Sequence, residues 1–249
     1  MRIKRLRVFA GPNGSGKSEL YKYLVEQKIF HPYLYVNADE IAQKLETGYS
    51  LQNLEFDFSK ENILLYLENS TFAKYLNFNL LKDTFFIKDN ILFLTKNVNQ
   101  LTYLAAGIAD FLRNQLLLSD SSFSCETVFS HPSKLEFLKQ AKEHGFKIYL
   151  YYIATKNPAI NIERVDNRVE EGGHFVPKDK IESRYYKTME NLYSAILLSD
   201  KAYLFDNSND EEKRTYSNFA KVQNGCIELL KDVVPDWFER FVINKQVNI

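Results

Sequence analysis

The stretch RLRVFAGPNGSGKSELYKYLVEQK, residues 5–28, decides how the rest of the chain is read. Arg5–Ala10 form a short apolar strand that stops where the glycines begin, and from Lys17 the apolar residues recur at helical spacing. Strand, loop and helix are the setting in which G-x-x-x-x-G-K-S holds phosphate, and Gly11, Pro12, Asn13, Gly14, Ser15, Gly16, Lys17 and Ser18 spell that pattern. The glycines let the backbone curl so that several N–H groups point inward, and the following helix offers its positive end to the same charge. Lys17 is expected to reach the β- and γ-phosphates of ATP or GTP, and Ser18 to ligate Mg2+. Pro12 and Asn13 are read as loop-shaping residues. Lys17 also separates this loop from the G-x-G-x-x-G turn of dinucleotide folds, because its charge suits terminal phosphates.

Outward from that loop the pattern repeats. Residues 33–36 read as a second strand, followed by a helix starting near Glu40 with Asn37 or Asp39 as its cap. A third strand covers 121–126. A helix over 132–143 ends at Gly145, where glycine takes a left-handed cap. FKIYLYYIA, 146–154, is apolar at nearly every position, as a strand covered on both faces must be. A helix after Pro158 and a strand over 201–207 complete an alternation that implies a mostly parallel sheet with right-handed crossovers. The expected fold is therefore α/β, a P-loop NTPase of three α/β/α layers, spanning 1–249 as one domain. Two stretches interrupt it. Residues 50–104 carry apolar residues at helical spacing and are expected to form a helical insertion, and the paired glycines of 166–186 mark a lid or flap between two charged helices. The tail from 214 is expected to add a hairpin, TYSNFAKV with CIELL, and a last helix around PDWFERFV.

Composition sets outer bounds. The 32 basic and 32 acidic residues balance, which gives no bulk argument for a nucleic-acid partner. The two cysteines, Cys125 and Cys226, are read as sitting in apolar surroundings and lack metal-ligand spacing, so the cytoplasm is the simplest compartment. No apolar run has the length to cross a bilayer, and the basic-then-apolar N-terminus is too short for a secretory leader.

Carboxylates and arginines supply the remaining chemistry. Asp39 follows the second strand, at the sheet edge where ligands bind, and is expected to accept the proton of an attacking hydroxyl; the bland reading is a helix cap. Glu126 ends the third strand, where burial without a partner would be costly, so it is expected to face a substrate hydroxyl or a Mg2+-bound water. Thr127 assists it or caps the next helix. His131 stands at a helix start, with little claim to catalysis. Arg164 and Arg168 share a helix face and Arg184 lies across the Gly172-Gly173 turn, so closing the flap would bring guanidinium groups over the triphosphate. Ion pairing with Asp166, Glu170, Glu171 and Glu182 is the alternative. His174 is read as pinning the flap or touching substrate, and Tyr185-Tyr186 as packing or hydrogen-bonding within it.

The chain resembles the zeta-toxin-like P-loop kinases, in particular their compact predicted-ATPase branch, through FAGPNGSGKS, NADEIA, SFSCET, the tract RVDNRVEEGGHFVPKDKIESRYYKTMENL and YLFDNS. The resemblance covers residues 5 to about 50 and 105 to about 210. It implies an adenylate-kinase-like fold and Mg2+-dependent transfer of a γ-phosphate to a small-molecule acceptor, the best-known members using the 3'-hydroxyl of UDP-N-acetylglucosamine, with an antitoxin as protein partner. By position, Lys17 and Ser18 correspond to the triphosphate and Mg2+ residues, Asp39 to the acceptor-activating base, Glu126 to a carboxylate near acceptor and metal, and Arg164 and Arg184 to cations around the transferring phosphate. The 50–104 stretch and Glu19 depart from the family pattern. Two other functions fit a phosphate loop, a regulatory ATPase acting with a protein partner and a polynucleotide end kinase; the neutral charge and lack of a basic stripe disfavour the second.

Overall fold

The computed structural model describes residues 3–51, 58–95, 100–173, 175–209 and 216–246. His174, parts of 50–104 and the first residues of the expected tail hairpin lie outside the described residues. The elements run β1 (Arg5–Ala10), α1 (Lys17–Glu26), β2 (Leu34–Val36), α2 (Ala38–Lys44), β3 (Tyr49–Ser50), α3 (Lys60–Glu68), α4 (Phe78–Leu81), β4 (Phe85–Lys88), β5 (Ile91–Leu94) and α5 (Leu101–Leu118). They continue with β6 (Phe123–Thr127), α6 (Ser133–Glu143), β7 (Lys147–Ala154), α7 (Pro158–Glu170), α8 (Lys178–Leu198), β8 (Lys201–Asp206), β9 (Ala220–Gln223), β10 (Cys226–Leu229), α9 (Asp236–Phe238) and α10 (Asn244–Gln246). Two compact units emerge, Met1–Tyr35 with Ser122–Ile249, and Val36–Ser121.

The first unit is built on a sheet of order β10-β9-β8-β7-β1-β6-β2. β1 pairs in parallel with both β6 and β7, and β7 with β8. The phosphate-loop strand is thus central, and the first five strands of this sheet, counted along the chain, lie in the order 2-3-1-4-5. β9 and β10 extend the sheet antiparallel from β8. Their turn, Asn224-Gly225, has positive φ at both residues, which is the backbone a two-residue hairpin of matching twist requires.

Neighbouring strand residues point to opposite faces, and Tyr151 and Tyr152 display the consequence. Tyr151 stacks on Phe9 at 4.8 Å within a cluster that also holds Leu20 and Leu24 of α1. Tyr152 turns the other way, its hydroxyl 3.3 Å from Met189 Sδ of α8 and its ring 5.8 Å from Trp237 of α9. Helices therefore cover both faces, and the expected three-layer, mostly parallel architecture is the one observed. Each large apolar side chain removed from water here contributes about 1.5–3 kcal/mol.

Local signals explain the element boundaries. Asn157 caps α7, its Oδ1 accepting the Ile160 N–H, with Pro158 in the first turn where a missing N–H costs nothing. Gly145 takes the expected left-handed conformation after α6. Between α7 and α8, Val165, Val176 and Ile181 bury a small cluster, and Lys178 pairs with Asp166 at 2.8 Å. Cys125 is buried, whereas Cys226 is exposed at the start of edge strand β10, against the expected apolar surroundings.

The second unit holds α3 and α4 together with an antiparallel sheet of order β3-β5-β4 that helical spacing did not announce. Asp89 and Asn90, both at positive φ, form its two-residue turn. Tyr66 and Arg113 both bond the Asp110 carboxylate, at 2.8 and 2.7 Å, tying α3 to α5. Burial and the neighbouring Asp110 charge push the Tyr66 hydroxyl well above the ordinary tyrosine range. Among the described residues, no helix is long and apolar enough to cross a membrane.

Candidate active site

The phosphate loop leaves β1 at Ala10 and enters α1 at Lys17. Its curl depends on residues without Cβ. At Gly14, where φ is +71°, an added Cβ would lie 2.5 Å from the Asn161 carbonyl oxygen, and at Gly16, at +94°, 2.6 Å from Asn207 Nδ2. Both conformations and both approaches exclude a side chain. Within the loop the Ser15 N–H donates to Pro12 O at 3.3 Å, and Lys17 Nζ donates to the same oxygen at 2.7 Å.

Beside the loop lies a partly buried cluster that gathers three of the expected site residues. Glu126 Oε2 accepts from the Ser18 hydroxyl at 2.7 Å and from the Tyr35 hydroxyl at 2.6 Å, while Oε1 stands 3.8 Å from Lys17 Nζ. The β1–β6 register brings this about, because Phe9 and Glu126 are directly paired and the two strand ends are level. The side chains of Lys17 and Glu126 are 7% and 11% exposed, so the carboxylate is desolvated and paired with a cation and two hydroxyls. Tyr35 is an addition to the expected set. Its ring stacks on Tyr21 of α1 at 3.7 Å between centroids, which fixes the direction of its hydroxyl.

Two asparagines brace the loop from outside. Asn161, wholly buried in the first turns of α7, donates from Nδ2 to Asn13 O, and its Oδ1 is bonded by the Thr155 hydroxyl. Asn207, just past β8, donates from Nδ2 to Ser15 O at 2.9 Å, and its own carbonyl accepts from Arg164 Nη1 at 2.8 Å. Arg164 is thereby joined to the loop through Asn207. Arg168 lies one turn further along α7, its Cγ 2.6 Å from where a Cβ on Gly173 would stand. Arg184 is half-buried on α8, and among the described residues no hydrogen bond or ion pair engages it.

Other expectations resolve differently. Asn37, not Asp39, caps α2: its Oδ1 accepts the Asp39 N–H at 2.9 Å, and the helix starts at Ala38 rather than near Glu40. Asp39 sits half-buried in the first turn with no capping duty. Thr127 does not cap α6 but accepts the Phe129 N–H at 3.3 Å, and His131 Nδ1 accepts the Ser133 N–H at 3.2 Å at the start of that helix. Tyr185 and Tyr186 pack edge to face at 5.3 Å, while the Tyr185 hydroxyl donates to Thr155 O at 2.7 Å, pinning α8 to the end of β7, and burial raises that hydroxyl far above its ordinary pKa.

The residues present fit a Mg2+ nucleotide. Ser15 is fully buried with a hydroxyl that meets no hydrogen-bond partner among the described residues, a group that a phosphate oxygen would satisfy. The Ser18 hydroxyl and Glu126 carboxylate are hard oxygen donors suited to Mg2+. Among the described residues no group of three or more His, Cys, Asp or Glu assembles.

No family model matches the chain. A Haemophilus influenzae protein of uncharacterised function is 40% identical over 63 residues, which is 25% of this chain and 45% of that protein. Among solved structures, a chain of the AvrRxo1-ORF1:AvrRxo1-ORF2 complex determined with sulphate ions aligns over 96% of this chain, with 15% identity and a TM-score of 0.58. The same complex determined with ATP gives 16% and 0.57. This chain spans 63% of the length of those chains. A chain from the PezAT chromosomal toxin–antitoxin system of Streptococcus pneumoniae aligns over 98% of this chain and 80% of its own length, with 11% identity and a TM-score of 0.51. At identities of 11–16% the likeness is one of fold.

Proposed function

We propose that the chain is a Mg2+-dependent phosphotransferase that moves the γ-phosphate of ATP or GTP to a hydroxyl of a small molecule. The cluster of Lys17, Ser18 and Glu126 beside the phosphate loop carries this reading, since it sets a cation for the terminal phosphates beside two oxygen donors for the metal. The reading has further support in the likeness of fold to a chain of a complex determined with ATP and to a chain from a toxin–antitoxin system. From the zeta-toxin-like resemblance of the sequence the acceptor is a UDP-sugar such as UDP-N-acetylglucosamine and a protein antitoxin is the partner, and from the cysteine usage the compartment is the cytoplasm.

Each residue has a task. Lys17 exchanges Pro12 O for the β- and γ-phosphate oxygens. Ser18 and Glu126 hold Mg2+, which on binding neutralises charge on the phosphates. Asp39 takes the proton of the acceptor hydroxyl, whose oxygen bonds the γ-phosphorus as the bond to the β,γ-bridging oxygen breaks and the nucleoside diphosphate leaves. Arg164, Arg168 and Arg184 offset the charge that spreads over the transferring group, with the α7–α8 turn as the lid that excludes water.

Transfer of label from γ-labelled ATP and GTP into UDP-sugars, nucleosides, short nucleic acids and a metabolite extract tests this. A labelled UDP-amino-sugar, lost in Lys17→Ala and in Asp39→Asn while Asp39→Asn still binds nucleotide, is the expected result. Release of inorganic phosphate alone, undiminished in Asp39→Asn, would overturn the kinase reading.

A further inference from the structure

The two asparagines outside the loop have a more specific effect than packing. In a trans peptide the carbonyl oxygen and the following N–H point in opposite directions, and every peptide bond among the described residues is trans. Asn161 Nδ2 holds the Asn13 carbonyl on its own side, so the Gly14 N–H is turned the other way. Asn207 Nδ2 does the same to the Ser15 carbonyl, at 2.9 Å, and so directs the Gly16 N–H away from itself. The missing Cβ of Gly14 makes room for the backbone of Asn161, and that of Gly16 for the Asn207 side-chain amide.

The Asn161 amide is held in this orientation, and the backbone that carries the Asn207 amide is fixed on both sides. Asn161 is wholly buried, and the Thr155 hydroxyl on its Oδ1 leaves Nδ2 facing Asn13. Thr155 is itself gripped through its carbonyl by the Tyr185 hydroxyl at 2.7 Å. Asn207 is 6% exposed, its N–H donating to Ala154 O at 2.8 Å and its carbonyl receiving Arg164 Nη1 at 2.8 Å. Side-chain donors thus occupy both outward carbonyls of the loop, an arrangement that packing alone does not call for.

We infer that Asn161 and Asn207 are positioning residues for phosphate: each clamps one loop carbonyl outward so that the N–H groups of Gly14 and Gly16 are aimed, before any ligand arrives, at the oxygens of a polyphosphate. Arg164 acts through Asn207 in the same way. The inference rests on the reading of residues 11–18 as a phosphate loop. Its distinctive consequence is that the braces serve the phosphates and not the base or the acceptor, so inorganic tripolyphosphate should feel their loss as fully as a nucleotide does.

Calorimetric binding of inorganic tripolyphosphate, Mg·ATP and Mg·GTP tests it, in the unmodified protein and in Lys17→Ala, Asn161→Asp and Asn207→Asp. The aspartates keep the shape but turn a carboxylate oxygen toward the loop carbonyl in place of a donor. The expected result is about a tenfold or greater weakening toward tripolyphosphate in each asparagine variant, matched by an equal factor for the nucleotide, with the ligand-free melting temperature within a few degrees. A purely structural role would lower the melting temperature and leave the affinity alone, and would overturn the inference. So would binding that is lost in Lys17→Ala and retained in both asparagine variants. An unmodified protein that binds none of the three ligands would overturn the phosphate-loop reading and the inference together. Should the aspartate variants fail to fold, the unmodified protein decides the matter. Its Gly14 and Gly16 amide resonances should shift on titration with tripolyphosphate, and unmoved resonances under saturating ligand would refute the inference.

Discussion

Replacing Glu126 by Gln keeps the shape of the side chain and deletes one charge 3.8 Å from Lys17 Nζ. At an effective dielectric of about 20, that attraction amounts to about 4 kcal/mol. The carboxylate's own desolvation, several kcal/mol in a site this buried, offsets most of it. The ligand-free variant should therefore lose only about 1–2 kcal/mol. The effect on the loaded protein should be much larger, because Ser18 and Glu126 are the donor pair proposed for Mg2+ and a neutral amide is a poorer ligand. Urea unfolding with and without saturating Mg·nucleotide separates the two: the unmodified protein should gain several kcal/mol from the ligand, and Glu126→Gln should lose most of that gain. Phosphate transfer should fall about 10²–10³-fold. A variant that gains as much from Mg·nucleotide as the parent, and transfers phosphate as fast, would refute the assignment of Glu126 to the metal.

Three further outcomes follow from particular contacts. Gly14→Ala forces a Cβ into the Asn161 carbonyl at positive φ, so nucleotide binding should weaken at least tenfold with a melting temperature lower by several degrees, as calorimetry would read. Burial raises Tyr151, against the opposing pull of Arg7, to about 12, and raises Tyr152 and Tyr185 as well. These groups favour the folded state fully below the ordinary tyrosine value of 10.0 and lose that contribution as pH rises toward their folded values. Tyrosinate absorbance should accordingly lag behind that of free tyrosine and appear together with unfolding. Burial works against ionised Asp200, but the Lys147 hydrogen bond, the Ile148 N–H and the charges of Lys147 and Lys142 outweigh it and hold the carboxyl below 3.8. Asp200→Asn should therefore cost about 1 kcal/mol at neutral pH, a difference that fades as pH falls through the lowered folded value, measured by urea unfolding at several pH values.

What could be read from the chain followed the range of the interactions involved. Gly11 to Ser18 are contiguous and flanked by a strand and a helix, so their chemistry is written locally, and Glu126 stood out because a carboxylate at a strand end needs a partner. Tyr35 was hidden, since one more aromatic residue in LYV looks like core until the β2–β6 adjacency places its hydroxyl on Glu126. Asn207 carried a usable signal: an uncharged amide just beyond a parallel strand stands at the same sheet edge as the loop. Asn161 carried none, because a polar residue in the first turns of a helix is ordinary until the helix start meets Asn13. In the second unit, FFIKDNILFL hid a hairpin behind its many large apolar residues. The Asp89-Asn90 pair, both residues tolerant of positive φ, was the clue. Asn37 prevailed over Asp39 as cap because the residue before the first helical one is placed to reach back to a free N–H two positions on.

Trp237, the sole tryptophan of the chain, donates its indole N–H to Asp206 Oδ2 at 2.8 Å, immediately before the asparagine that holds Ser15. Indole emission responds to the charge and hydrogen bonding at that nitrogen. Any shift of the segment that follows β8 when the loop fills or empties should thus register as a change in intrinsic fluorescence from one known position. The molecule carries a built-in optical gauge of its phosphate loop, readable without label or substitution, and fast enough in principle to follow ligand arrival in a stopped-flow mixer.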